Sequence, residues 1–117
     1  MPTIQLTTQE FKDKVFDYVN EQEWKYKGSL PAIIDFYADW CGPCKMMDPV
    51  LKNVHQKLGE KVTFLKVDVD KNPAAANSLG IRGVPTLILF KNGKILWRQS
   101  GMISGADLEA VLQKHLA

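Results

Sequence analysis

The chain is 117 residues long, 45% hydrophobic and 24% charged, a length and balance suited to one soluble domain around a single core. The 15 Lys and Arg against 13 Asp and Glu leave a net charge of +2, too small and too mixed to argue for a nucleic-acid or membrane-surface protein. No run is long enough to span a bilayer and no apolar signal core follows Met1, so the cytoplasm is the expected compartment and residues 1–117 the expected single domain.

Ile4–Leu6 predicts a short strand. Thr7 and Glu10 then read as a capping box, and Phe11, Val15, Tyr18 and Val19 fall on one face of the helix it opens. Gln22–Ser29, with Trp24 and Tyr26, predicts a loop or frayed helix end. Leu30–Ala38 is an almost continuous apolar run, the pattern of a strand covered on both faces, interrupted by Asp35. Lys45–Leu58 predicts a helix with Met47, Val50, Leu51, Val54 and Leu58 on one face. Pro49 should kink that helix and Gly59 should end it. Val62–Val69 is a second buried strand pattern, with Lys66 inside it. Asn72–Pro73 starts a turn, and Ala74–Leu79 suits a short helix. Thr86–Phe90 and Lys94–Gln99 flank Asn92–Gly93, a pair that supplies the positive φ values of a tight hairpin turn. Ser104 and Asp107 form another capping pair, and Leu108, Val111, Leu112 and Leu116 face the closing helix inward. Strands separated by helices should pair in parallel, and the hairpin must be antiparallel. The fold class is α/β, a central mixed sheet flanked by helices on both faces.

The chemistry concentrates in Trp40-Cys41-Gly42-Pro43-Cys44, which holds the only two cysteines of the chain. A zinc site needs about four ligands; there is no second Cys pair, and His55 and His115 are remote in sequence and sit in helical patterns. An iron–sulfur cluster would need ligands from a second subunit. A structural disulfide closing so short a loop would contribute only about 2 kcal/mol. A catalytic dithiol–disulfide pair is the reading that fits best, with no metal. Cys41 lies where a strand hands over to a helix, and helix N-termini stabilise thiolates, so it should be the exposed nucleophile. Cys44, in the first turn, should be the buried resolving thiol. Gly42 admits a substrate backbone, and Pro43 fits the first helical turn.

Asp35 and Lys66 are charged groups inside apolar strands. Burial in an apolar strand should raise the pKa of Asp35; the sharper reading is a buried Asp35–Lys66 pair that moves a proton to or from Cys44, and the plainer one is two snorkelling edge residues. Pro85 on its own reads as an ordinary trans proline at a strand start. Trp40 is core, or a shield and recognition surface beside the cysteines. Gly101-Met102-Ile103 is an uncharged loop that could join that surface. The Asp68–Asp70–Lys71 cluster reads as a solvated strand end.

At Phe36-Tyr37-Ala38-Asp39-Trp40-Cys41-Gly42-Pro43-Cys44-Lys45 the chain resembles the thioredoxin family, in its cytosolic bacterial form. Asp35, Pro49, Lys66-Val67-Asp68-Val69-Asp70, Gly80-Ile81-Arg82-Gly83-Val84-Pro85-Thr86, Phe90-Lys91-Asn92-Gly93 and Gly101 also look like family motifs, in family order. The resemblance implies a protein-disulfide reductase in which Cys41 attacks, Cys44 resolves and Asp35 assists Cys44. It implies a cis Val84–Pro85 bond packed against the disulfide, reversing the reading of Pro85 above. It implies a substrate groove made by Trp40, Gly42, Pro43, Gly83, Val84, Pro85, Gly101 and Met102, where a substrate segment pairs with the backbone of Val84. The partners implied are disulfide-containing proteins and a thioredoxin reductase that brings electrons from NADPH. No bound cofactor beyond the Cys41–Cys44 disulfide is then expected, and the working unit is expected to be a monomer. The chain departs from the family in two places. Tyr37 stands where many members carry tryptophan, and the segment from Phe16 to Ser29 is several residues longer than in compact bacterial members.

Overall fold

The apolar runs become the middle of a sheet because their alternate side chains are covered on both faces. In the computed structural model, which describes residues 4–6, 31–91 and 94–116, five strands form one sheet. They are β1 (Ile4–Leu6), β2 (Ala32–Tyr37), β3 (Thr63–Asp68), β4 (Thr86–Lys91) and β5 (Lys94–Ser100), in the spatial order β1-β3-β2-β4-β5. β3 pairs in parallel with both β1 and β2, whereas β4 runs antiparallel to β2 and to β5. The mixed α/β sheet expected from the element order is therefore present. The predicted capping box at Thr7, the helical face from Phe11 to Val19, the loop from Gln22 to Ser29 and the Asn92–Gly93 turn lie outside the described residues.

Three α-helices are described. α1 (Gly42–Leu58) and α3 (Gly105–Leu116) cover one face of the sheet, and α2 (Pro73–Ser78) covers the other. Ala32, Ile34 and Phe36 of β2 join Leu65, Val67, Ile88 and Phe90 beneath Ala75 and Leu79. Ile33 points the opposite way and packs with Phe64, Leu87 and Leu89 under Met47, Leu51 and Val54 of α1 and Leu108 and Leu112 of α3. Each such side chain contributes about 1.5–3 kcal/mol on leaving water. These two clusters hold β2 in the centre, and the C-terminal end of β2 is where the cysteines follow.

α1 begins at Gly42, three residues before the predicted start. Cys41 takes the N-cap position in extended conformation, and Pro43 fits the first turn, where no backbone donor is needed. Pro49 lies inside the helix without ending it, and Gly59 closes it at φ 60°. α2 is shifted by one residue from its expected range and starts at Pro73. Ser104 caps α3 as expected, its hydroxyl accepting the Asp107 amide at 3.1 Å.

Candidate active site

The end of β2 and the start of α1 place the two cysteines. The chain turns at Asp39–Trp40, the Cys41 amide donates to the Ala38 carbonyl at 3.1 Å, and α1 starts at once. Cys41 and Cys44 are joined by a disulfide with their Cα atoms 5.2 Å apart. The Cys44 amide donates to Cys41 Sγ at 3.1 Å. An N-terminal amide of α1 thus points at the first sulfur, and the first turn carries no acidic residue to oppose negative charge there. Both features favour Cys41 as a thiolate once the bond is opened.

One expectation is corrected here. Cys41 is no more exposed than Cys44; each is 3% exposed in the oxidised protein. The closed ring packs into a small apolar cluster with Ala38, bordered by Tyr37, Val69 and Val84. What is open to solvent are the expected rim residues Trp40, Gly42, Pro43, Gly83, Gly101 and Met102. Trp40 is 72% exposed, which excludes the core reading of that side chain.

Tertiary contacts bring the distant rim residues together. The Val84–Pro85 peptide is cis. Pro85 is buried, and its carbonyl accepts the Gly101 amide at 2.8 Å. Gly101 sits at φ 90°, a backbone conformation that side chains other than glycine rarely adopt. Thr86 Oγ1 donates to the Gly83 carbonyl at 2.7 Å and lies 3.2 Å from Ser100 Oγ. The loop from Gly83 to Pro85 and the loop at Gly101 are therefore pinned to one another, with Val84 against the cysteine cluster.

The acidic residues differ most from expectation. Asp35 is buried as read, and neither carboxyl oxygen meets a hydrogen-bond partner among the described residues. Burial pushes its pKa up from 3.8 to about 7; the Lys66 charge pulls against that rise and Asp48 adds to it. Lys66 is opposite Asp35 in the parallel register of β2 and β3, but no ion pair joins them. Its ammonium donates instead to Asp48 Oδ1 at 3.1 Å and lies 4.3 Å from the centre of the Tyr37 ring. The direct buried pair is thus replaced by a half-exposed one. The Lys66 side chain is long enough to leave the strand for a surface carboxylate, which spares a desolvated ion pair.

Asp68 was expected to be solvated, yet it is 2% exposed. Its Oδ1 accepts the backbone amides of Asp70 at 2.9 Å and Lys71 at 3.3 Å, so it shapes the turn after β3. That turn carries Asp70, whose Oδ2 accepts the Trp40 indole N–H at 2.8 Å and fixes the ring at the rim. The sequence misses Asp48 altogether and shows Asp70 only as part of a solvated strand end. Asp48 had a signal, since it lies four residues after Cys44 and so shares its helix face. His55 stacks on Phe64 with ring centroids 4.3 Å apart, a core contact away from the cysteines.

A cavity of about 230 Å³ opens beside the disulfide, lined by Tyr37, Ala38, Asp39, Cys44, Lys45, Asp48 and Lys66. Of the two cysteines, Cys44 is the one that lines it, among polar and charged side chains. Among the described residues no group of His, Cys, Asp or Glu is arranged to hold a metal ion, and no helix is long and apolar enough to cross a membrane.

Comparison with known proteins gives one family. The thioredoxin family model matches residues 2–114. A thioredoxin of Borreliella burgdorferi is 46% identical over 87 residues, covering 74% of this chain and 74% of that protein. Thioredoxin 1 of a Nostoc species is 37% identical over 112 residues, covering 96% of this chain and 95% of that protein. A thioredoxin of a Synechocystis species is 36% identical over 114 residues, covering 97% of each.

Proposed function

Given that the chain belongs to the thioredoxin family, we propose that Cys41 is the attacking thiolate of its disulfide exchange, Cys44 the resolving thiol and Asp35 the group that takes the Cys44 proton. The protein is a protein-disulfide oxidoreductase whose redox group is its own cysteine pair. The observation that carries the assignment is the Cys44 amide directed at Cys41 Sγ at the start of α1.

The reaction runs in two exchanges. Cys41 thiolate attacks one sulfur of a substrate disulfide; a bond forms between Cys41 and that sulfur, and the other substrate sulfur leaves as a thiolate that takes a proton. Cys44 then loses its proton towards Asp35 and attacks Cys41 Sγ. The Cys41–Cys44 bond forms, the mixed disulfide breaks, and the second substrate sulfur leaves and is protonated. The substrate gains two electrons and the protein loses two. Asp35 suits the proton step because burial brings its pKa to about 7, where a carboxyl can both accept and return a proton near neutrality. A thioredoxin reductase drawing on NADPH returns the chain to its dithiol form. We place this cycle in the cytoplasm, carried out by residues 1–117 as one domain and a monomer.

Substrates are held at the rim by shape and backbone. Trp40, Gly42, Pro43, Gly83, Val84, Pro85, Gly101 and Met102 carry no charge, and the Val84 backbone is the edge with which a substrate strand pairs. Insulin reduction with NADPH and thioredoxin reductase tests the activity, and a protein with no acceleration over reductant alone would refute it. Alkylation of the reduced protein near neutral pH tests the roles: Cys41 should react well before Cys44, and equal rates would reverse the assignment. Rates measured on several unrelated protein disulfides should change little between low and high salt, since an uncharged rim leaves little for ions to screen. A steep loss of rate with salt on every substrate would show that charge steers recognition.

A further inference from the structure

Lys66 has two carboxylates within its range and binds the outer one. It stands opposite Asp35 in the sheet register, yet its ammonium is held at 3.1 Å by Asp48 Oδ1 and rests over the Tyr37 ring. Asp35 meanwhile has both oxygens buried with no hydrogen-bond partner among the described residues. Asp48, Lys66, Tyr37 and Cys44 line the same cavity. An ammonium held by Asp48 in the wall of this cavity is an ammonium withheld from Asp35.

We infer that Asp48 is a positioning residue for the resolving exchange: with the Tyr37 ring, it holds the Lys66 ammonium in the cavity wall, away from the Asp35 carboxyl, and so governs proton exchange between Asp35 and Cys44. This rests on the reading that Asp35 serves Cys44. Among the described residues the charges that bear on Asp35 are few. Lys66 faces it from β3 and Asp48 acts on it from α1; its neighbour on β4 is Leu87, which carries no charge. Asp39 and Lys45 complete the charged lining of the cavity. Asp48 acts on Asp35 twice with the same sign. Its own negative charge favours protonated Asp35, and its hold on Lys66 keeps a cation from favouring the carboxylate. With Asp48 present, Asp35 stays protonated to higher pH than burial and a free Lys66 would allow.

The test is a titration of the Asp35 carboxyl carbon by NMR in the reduced protein, for the wild type, Asp48→Asn, Asp48→Glu, Lys66→Met and the double variant Asp48→Asn with Lys66→Met. Asp48 is half-exposed, so its replacement leaves the core untouched. Asp48→Asn should lower the Asp35 midpoint by about 1 pH unit, the lower end of the shift a neighbouring cation produces. Asp48→Glu should keep the wild-type midpoint. In the Lys66→Met background the shift caused by Asp48→Asn should shrink, because no cation is left to release. A wild-type midpoint in Asp48→Asn, or an equal shift with Lys66 absent, would overturn the inference. The pH profile of mixed-disulfide resolution should move to lower pH together with the titration. If the titration moves while the rate profile stays, and Asp35→Asn resolves at the normal rate, the fault lies with the proton role of Asp35 and not with the hold of Asp48 on Lys66.

Discussion

Replacing Cys41 by serine should remove turnover of protein disulfides altogether, by more than about 1000-fold, because a lone Cys44 thiol cannot close the Cys41–Cys44 disulfide that completes the cycle. Cys44→Ser should lose steady-state turnover to a similar degree for a different reason. Its Cys41 still attacks, but nothing returns to break the mixed disulfide, so the substrate stays attached. The geometry makes the two variants unequal. Cys41 is the N-cap of α1 and its sulfur receives the Cys44 amide, while Cys44 lies within the first turn and borders the side cavity. NADPH consumption with thioredoxin reductase and insulin should fall to background for both. A non-reducing gel should show a covalent substrate complex for Cys44→Ser alone, cleared by excess reductant. A complex formed instead by Cys41→Ser would exchange the two roles. The same trapped complexes would identify the physiological substrates.

Asp35→Asn should make the protein more stable at neutral and alkaline pH and slower in resolution. The sign follows from burial. The folded-state pKa of about 7 lies above the ordinary value of 3.8, so folding favours the protonated acid. Below about pH 4 the carboxyl is protonated in both states and imposes no charge penalty. As pH rises from there the unfolded chain ionises first, and stability falls until the folded carboxyl also ionises near 7. At 1.36 kcal/mol per pKa unit, the full penalty above that point is on the order of 4 kcal/mol. Asparagine never ionises, so urea unfolding of the variant should lack this slope, and its advantage over wild type should grow with pH and then level off. Parallel pH profiles for the two proteins would refute the buried charge as the cause. Resolution of a mixed disulfide should slow by about 100-fold or more, the scale of a lost proton acceptor. Normal resolution would remove Asp35 from the mechanism while leaving the stability argument intact.

Local chemistry makes much of this protein legible in the order of its residues. The strand at Ala32–Tyr37 and the strand at Thr63–Asp68 follow from apolar runs, and α1 and α3 from the spacing of Met47, Leu51 and Val54 and of Leu108 and Leu112. The cysteine spacing, the helix that follows it and the oddity of Asp35 in an apolar strand are all short-range facts. Each depends on one residue and its immediate neighbours, so each is written in the order of the chain.

Partner choice among charged groups is different. Lys66 could reach Asp35 or Asp48, and only the packing of α1 on the sheet brings Asp48 to 3.1 Å from its ammonium. Asp68 and Asp70 look alike in sequence, yet one is buried as an acceptor for two backbone amides and the other holds the Trp40 indole. The cis bond at Pro85 and the Gly101 contact with its carbonyl likewise depend on strands brought together from distant parts of the chain. Even the burial of Cys41 was decided in three dimensions, by the cluster of Ala38 and Val84 around the closed ring. Sequence alone determined which groups could carry the redox chemistry. The tertiary structure decided which charges meet, because electrostatic contacts fall off with distance and depend on burial, and neither quantity is a function of position along the chain.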